Sequence, residues 1–155
     1  MRPKRPFTPE QAAEYAERLC SAAEYSSGEI LRKLTLKGLP AAQAQRVIAG
    51  LIERRFIDDS RFATLFARNK VEYSGWGRRK IAAALYQKGI DRATIDAALD
   101  GIDPESYRRR LAELIDRKRR TMPDADTYEG RVRLFRFAAS HGFEPDLIMS
   151  AIKTD

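Results

Sequence analysis

Apolar residues recur every three or four positions along the whole chain, the spacing of helices that bury one face. The first run follows Thr8-Pro9-Glu10-Gln11, which has the form of a capping box with proline at the first helical position. Ser26 to Glu29 repeats the capping-box spacing, and Pro40 begins a third helix. Strands have little support, because no alternating run of β-branched residues occurs. The pattern therefore predicts an all-α chain of about nine helices.

Three glycines divide this pattern at a nearly constant interval. Gly38, Gly89 and Gly142 each follow an apolar helix, and they lie 51 and 53 residues apart. Glycine ends helices because it adopts the left-handed conformation at little cost. The apolar residues keep one register around each glycine: Ile30, Leu34 and Ile48, then Ile81, Leu85 and Leu99, then Leu134, Ala138 and Ile152. A shared period and register indicate tandem repeats of three helices each.

We place the three repeats at residues 8–57, 58–103 and 104–155. Asp58-Asp59-Ser60 opens the second repeat and Asp103-Pro104 opens the third, and both are typical helix starts. Because the connections are short, we expect the repeats to stack end to end as an elongated, curved body. A single helical bundle is the alternative, but it would not explain the shared register.

The charge balance favours an anionic partner. The 155 residues include 29 Lys and Arg against 22 Asp and Glu, which gives a net charge of +7. Nucleic acid, an acidic protein surface and anionic lipid all fit this balance. A surplus of solvated surface cations fits it equally well, so the net charge alone does not choose between them.

The N-terminal stretch, the lengths of the apolar runs and the cysteine content all predict a cytoplasmic protein. The N-terminal stretch MRPKRPFTPEQ lacks the apolar segment of a secretory signal, and no run reaches the roughly 18 apolar residues of a membrane span. Cys20 is the only cysteine and cannot form an intramolecular disulfide, which suits a reducing compartment. Its apolar neighbours predict a packed thiol rather than a reactive one. We expect no association with a membrane.

Catalytic motifs are missing from the sequence. His141 is the only histidine, and its place before Gly142 favours a contact with the last carbonyls of a helix. One histidine and one cysteine cannot supply the ligand spacing of a zinc site. Asp58 and Asp59 favour a helix cap and its neighbour over a catalytic pair. Since GxxxxGK[ST], GxSxG, HExxH and GxGxxG are also absent, we predict no enzyme activity, no metal and no cofactor.

The stretch SGWGRRK, residues 74–80, places three cations at a predicted helix start. There the helix dipole disfavours each of Arg78, Arg79 and Lys80 by about 0.3–1 kcal/mol. If the helix begins near Gly77, its free N–H groups would point outward beside the cations and form an anion-binding site. Alanine at all three positions would then stabilise the free protein and weaken partner binding. For Trp76, packing between helices is favoured over stacking on a base.

The stretch PESYRRRLAELIDRKRR, residues 104–120, holds a second concentration of charge, with seven basic residues against three acids. The basic residues are Arg108, Arg109, Arg110, Arg117, Lys118, Arg119 and Arg120. On a helix, Lys118 falls on the apolar face of Leu111 and Ile115, Arg109 and Arg120 fall opposite that face, and the other four cations flank its two sides. Acids four residues from several arginines favour a solvated helix. A remaining net charge of +4 favours an anion-binding surface, which we predict for all seven cations and for Arg78, Arg79 and Lys80.

In its order of features the chain resembles the RecX family, bacterial regulators of the RecA recombinase. The resemblance is strongest from Ser26 to Leu99. It rests on Ser26, Glu29-Ile30, Leu34, Lys37-Gly38, Ile57-Asp58-Asp59, Phe62-Ala63, Gly77, Ile81, Leu85 and Lys88-Gly89-Ile90. The resemblance implies tandem three-helix repeats and a monomer that binds the RecA–DNA filament. There it would reduce recombination, ATP turnover and co-protease activity, with modest affinity for single- or double-stranded DNA.

Two other functions stay open. One is a stand-alone nucleic-acid-binding adaptor built on the helical repeats, and the other is a scaffold whose basic surface meets an acidic protein. Affinity for naked DNA separates the three functions, since it should be modest for a RecA regulator, strong for an adaptor and absent for a scaffold.

Overall fold

The computed structural model describes residues 5–153, and within them it contains nine α-helices and no strand. The helices are α1 (Pro9–Ala22), α2 (Ser27–Leu36), α3 (Ala41–Glu53), α4 (Asp59–Ser74), α5 (Arg78–Gln87), α6 (Arg92–Asp100), α7 (Pro104–Arg119), α8 (Tyr128–Ser140) and α9 (Pro145–Lys153). They pack in threes, as the repeat period predicts. The first four residues of the N-terminal stretch and the last two of the proposed third repeat lie outside the described residues.

Side-chain caps begin the helices at the predicted places. The Thr8 hydroxyl accepts the Gln11 N–H at 3.2 Å, and the Ser26 hydroxyl accepts the Glu29 N–H at 3.1 Å. In both boxes the third helical residue returns a bond to the backbone of the cap. The Asp58 and Asp103 carboxylates accept the N–H of the third residue of α4 and α7, so Asp58 is a helix cap as predicted.

The three repeat glycines end the middle helix of each repeat. Gly38, Gly89 and Gly142 have φ values of 97°, 76° and 95°, in the left-handed region. In each repeat the next N–H donates to the carbonyl five residues back: Leu39 to Leu34, Ile90 to Leu85 and Phe143 to Ala138. This bond is part of the usual glycine-ended helix terminus, in which the chain turns sharply into a new direction.

The buried residues form two cores. The first repeat has its own core, which includes Ile30, Leu34 and Leu51. The second and third repeats share one core, in which Ile81 and Leu85 are continuous with the residues of α7 to α9. The last two repeats therefore behave as one packed unit, and the first is attached to it through a junction of its own.

Polar groups form the junction between the first two repeats. The Ser26 hydroxyl, which is fully buried, donates to the Lys88 carbonyl at 2.7 Å, where α5 ends. Asp59 accepts the N–H of Ser27 at 2.8 Å and its hydroxyl at 2.5 Å. Gly28 lies so close that a Cβ there would be 2.3 Å from the same Lys88 oxygen. The start of α2 thus rests directly on the end of α5.

The second junction repeats this arrangement one unit along the chain. At the start of α5, Gly77 N–H donates to the His141 carbonyl at 2.7 Å, and Arg79 N–H donates to the Gly142 carbonyl at 3.0 Å. A Cβ on Gly77 would lie 2.3 Å from the Gly142 carbonyl carbon. The start of one middle helix therefore meets the end of the next, so opposite ends of the helix dipoles are in contact.

The start of α8 is closed by the loop that precedes it. A Cβ on Gly130 would overlap the Asp124 carbonyl, which also accepts the Thr127 hydroxyl at 2.7 Å. Asp124 pairs in turn with Arg133. The loop from 121 to 127 thus lies against the start of α8, as the end of α5 lies against the start of α2 and the end of α8 against the start of α5.

Gly28→Ala tests the close approach at the first junction. We expect it to lower the free energy of unfolding by roughly 1–3 kcal/mol, because the new methyl group overlaps backbone atoms. Gly50→Ala in the middle of α3 is the matched control, since a Cβ there has no heavy atom within 4 Å. It should raise stability by about 0.5–1 kcal/mol through helix propensity. If the two substitutions changed the free energy of unfolding equally in chemical denaturation, the close approach of Gly28 to the Lys88 carbonyl would be contradicted.

Candidate nucleic-acid interface

The helix predicted from SGWGRRK begins at Arg78, with Gly77 as its N-cap. Its first N–H groups have acceptors inside the protein. Arg78 N–H donates to the Tyr107 hydroxyl at 3.0 Å, between the bonds that Gly77 and Arg79 make to the end of α8. The prediction that these N–H groups point outward was wrong, because the carbonyls of the third repeat occupy the place assigned to an anion.

Arg78 has partners within the fold as well. Its guanidinium lies 2.7 Å from a Glu144 carboxylate oxygen and 3.9 Å from the centre of the Tyr107 ring. The Tyr107 hydroxyl donates to the other oxygen of Glu144. Burial, and next the hydrogen bond to Glu144, raise the pKa of Tyr107 far above its usual value, so the hydroxyl stays a donor. Glu144 and the α8 carbonyls offset the unfavourable dipole at this helix start.

These contacts reverse one expectation. Alanine at Arg78, Arg79 and Lys80 should destabilise the free protein rather than stabilise it, because Arg78 ties α5 to Tyr107 and Glu144. Arg79 and Lys80 are exposed, so their assignment to partner binding now depends on their side chains alone. The assignment of all three cations to a binding surface stays a prediction.

Trp76 packs within the fold, the interpretation favoured from the sequence. Its ring meets the Phe66 ring edge-on, with centroids 6.3 Å apart. Lys70 and Lys80 hold their ammonium groups 4.5 and 4.6 Å from the Trp76 centroid. Lys88 extends the series over Phe62 and Phe66. We call this surface the lysine–aromatic row; it comprises Lys70, Lys80 and Lys88 with Phe62, Phe66 and Trp76.

His141 contacts a helix end, although not the one expected. Its backbone forms the C-cap of α8, while its Nδ1 lies 3.3 Å from the carbonyl oxygen of Gly75, the C-cap of α4. We assign the ring hydrogen to Nδ1, which makes this contact a hydrogen bond. The ring also packs on Phe137. His141 therefore joins the second repeat to the third, as Tyr107 and Arg78 do.

The basic helix α7 packs along α4 and leaves a groove between them. The groove has a volume of about 350 Å³ in its larger part, next to the α6–α7 turn. A smaller depression adjoins it at the end of α4. The charged and aromatic residues that line the two are Arg68, Glu72, Tyr73, Asp103, Arg109, Arg110, Glu113 and Arg117. We call this surface the α4–α7 groove.

The arginines of this groove differ in their pairing. Arg110 lies 2.9 Å from Glu113 and 3.6 Å from Glu72, so its charge is balanced locally. For Arg109 and Arg117, no carboxylate within residues 5–153 comes closer than 4 Å to the guanidinium. Both side chains are exposed. Arg109 and Arg117 are therefore the groove cations best able to meet an external anion.

The other predicted cations of α7 lie away from the groove. Lys118 holds its ammonium 5.0 Å from the Phe137 ring, against α8. Arg119 is mostly buried and lies 3.4 Å from Asp116. Arg108 and Arg120 are exposed on the helix. The structure thus separates the seven cations into a groove set of Arg109, Arg110 and Arg117 and a second set that faces elsewhere.

Sequence reasoning missed four residues of these surfaces. Arg68 and Tyr73 line the α4–α7 groove, and Lys70 and Lys88 belong to the lysine–aromatic row. Three of them are basic residues, yet nothing in the sequence placed α4 beside α7. Only that packing shows that the side chains share a surface.

Cys20 in the first repeat is half-buried. Burial raises the pKa of the Cys20 thiol, which packs at the edge of the first core as predicted. Within residues 5–153, no three His, Cys, Asp or Glu side chains gather closely enough to hold a metal ion. The helices over the same residues are all too short or too polar to cross a membrane.

Family comparisons fit this architecture. Models of the first, second and third three-helix domains of RecX match residues 12–51, 58–99 and 105–152. The regulatory protein RecX of Mycobacterium sp. (strain KMS) is 32% identical over 155 residues, covering 97% of this chain and 84% of the relative. The chain belongs to the RecX family.

More distant members of the RecX family agree. The RecX of Chlorobaculum tepidum is 31% identical over 142 residues, covering 92% of this chain and 86% of that protein. The crystal structure of RecX from Lactobacillus salivarius superposes with a TM-score of 0.85 at 20% identity, and 94% of each chain is covered. A second crystal structure of regulatory protein RecX gives a TM-score of 0.83 at 22% identity. These superpositions show a shared fold.

Tyr107→Phe tests the contacts that hold α5, α7 and the start of α9 together. It removes a buried hydroxyl and leaves the Arg78 N–H and Glu144 short of a partner, which should cost about 1–3 kcal/mol of unfolding free energy. Tyr86→Phe is the control, because Tyr86 is 72% exposed. Its effect should stay within about 0.5 kcal/mol. A Tyr107→Phe variant as stable as the control would contradict the assigned hydrogen bonds.

Proposed function

We propose that this RecX-family protein binds the RecA–DNA filament and reduces its recombinase, ATPase and co-protease activities. Family membership supports the choice of partner. The observation that carries the binding surface is that Arg109 and Arg117 on α7 are exposed and have no carboxylate of residues 5–153 within 4 Å. Both lie on the unit formed by the second and third repeats, on which Arg79 and Lys80 are exposed as well.

The chemistry of these surfaces suits phosphate groups and acidic protein side chains. Arginine donates two parallel hydrogen bonds to a phosphate or a carboxylate, which binds an anion with defined geometry. Tyr73 is 79% exposed beside Arg110 and Arg117, so its ring can stack on an unpaired base. The lysine–aromatic row adds ammonium groups held in place over aromatic rings. Together they favour a partner that offers both phosphates and acidic side chains.

The other attributes of the proposal follow from this role. The protein acts as a monomer, in the cytoplasm where recombinase and chromosomal DNA are found. It regulates DNA repair, recombination and the SOS response without being an enzyme and without a cofactor. Its affinity for naked single- or double-stranded DNA is modest, since the filament supplies part of the contact. The repeat boundaries at 57/58 and 103/104 are proposed with it.

Arg109→Gln together with Arg117→Gln tests the groove cations. Each contact with a phosphate or carboxylate is worth about 1.5–3 kcal/mol, so filament binding should weaken by more than tenfold. The control is Arg18→Gln with Arg92→Gln, which removes the same charge from exposed sites on α1 and α6. On single-stranded DNA, the slope of log K against log salt concentration should become shallower by about 1.4, which is about 0.7 for each lost phosphate contact.

Inhibition of the RecA–single-stranded-DNA ATPase measures the function itself. The wild-type protein and the control variant should inhibit turnover, and the groove variant should need a higher concentration for the same effect. Strong binding to naked DNA with no effect on RecA would favour the adaptor instead. Binding to neither DNA nor the filament would favour a scaffold for an acidic protein.

A further inference from the structure

An apolar groove lies on the outer side of the third repeat, between α8 and α9. Its floor is formed by Tyr128, Val132, Phe135, Met149 and Ile152, and its volume is about 450 Å³. Tyr128 is 73% exposed and Met149 is 44% exposed, and because both line the same groove they form one apolar patch rather than singly exposed side chains. We call this surface the α8–α9 groove.

The other repeats lack this surface. At the repeat spacing, Met149 corresponds to Asp96 in the second repeat and to Gln45 in the first. Phe135 corresponds likewise to Ala82 in the second repeat and to Leu31 in the first. Ile152 belongs to the core and Phe135 packs against that core, whereas Tyr128 and Met149 are exposed. The exposed part of the floor is therefore not required by the three-helix repeat.

Cations surround the groove. Arg131, Arg136 and Lys153 lie at its edges, and none of the described residues that line it is acidic. Arg131 is held by the Asp126 carbonyl at 2.7 Å, which fixes its position at the rim. An apolar floor with a cationic rim complements a helix that has one apolar face and acidic flanks.

Nucleic acid is a poor occupant, because a phosphate backbone cannot use an apolar floor of this extent. A second copy of the chain is also a poor one. Its acidic helices α1 and α6 already pack their apolar residues into the cores of the chain, so the apolar faces of those helices are not available. Of the three possible occupants, an acidic amphipathic helix of another protein fits best both the positive charge of the rim and the apolar floor.

We propose that the α8–α9 groove is a docking site for an acidic amphipathic helix of a partner protein. Leucine or phenylalanine side chains one and two turns apart would lie along the floor between α8 and α9, and glutamates beside them would pair with Arg136 and Lys153. This site is separate from the α4–α7 groove and does not depend on the function proposed for it.

The probe is a designed helix of about 14 residues, with leucine at every third or fourth position and glutamate or alanine elsewhere. Its fluorescence anisotropy with the full-length protein should show binding at micromolar concentrations. The same peptide with lysine in place of glutamate should bind at least tenfold more weakly. Equal binding of the two peptides would overturn the proposal, because the rim cations would then play no part.

Met149→Glu is the decisive variant. It places a negative charge on an exposed part of the floor and should weaken binding of the acidic peptide by more than tenfold. Gln45→Glu, at the corresponding position of the first repeat, is the control and should leave binding unchanged. Tyr128→Glu provides a second test if Met149→Glu lowers the melting temperature. Full affinity in both groove variants would overturn the proposal.

Two further outcomes would also overturn it. One is the absence of binding by the acidic peptide up to about 1 mM, beyond which contacts are no longer specific. The other is self-association of the wild-type protein that Met149→Glu abolishes, measured by sedimentation. In that case the groove would be an interface between two copies of this chain.

Discussion

Gly77 and Arg79 donate backbone hydrogen bonds to the carbonyls of His141 and Gly142, directly after α8, and the Ser26 hydroxyl donates to the carbonyl of Lys88, the C-cap of α5. In both places the positive end of one helix dipole meets the negative end of the next. Gly28 and Gly77 make this approach possible, because a Cβ at either position would overlap backbone atoms. These two contacts fix the order and spacing of the repeats. The surfaces along α4, α7 and α8 depend on them.

The same contact explains why Arg78 is tolerated at the start of α5. The Arg78 guanidinium is held by Glu144 and by the Tyr107 ring. The backbone N–H groups of Gly77, Arg78 and Arg79 all donate to acceptors within the protein. The unfavourable position for positive charge is thus offset within the protein. In the proposed function, partner binding falls to exposed cations that have no carboxylate of residues 5–153 within 4 Å, chiefly Arg109 and Arg117. The charge of α7 serves two purposes, since Lys118 and Arg119 contact neighbours while the groove arginines face solvent.

Local features of the sequence were sufficient to predict the helices. The capping boxes at Thr8 and Ser26, and the glycine at Gly89, act within one turn of chain and leave a direct pattern. The candidate site was predicted less completely, because it depends on which helices meet. Arg78 and Glu144 are 66 residues apart, and no spacing rule joins them. The sequence did hold one unused signal, which is that α5 begins with Gly77 and without a side-chain cap.

Amide hydrogen exchange at the start of α5 tests the account most directly. The N–H groups of Gly77 and Arg79 should exchange slowly in the free protein, as slowly as amides inside a helix, because the α8 carbonyls hold them. Adding inorganic phosphate or an oligonucleotide should not change their rates. Fast exchange in the free protein, slowed only when the anion is added, would contradict the account. It would show that the cations of SGWGRRK form an anion site after all.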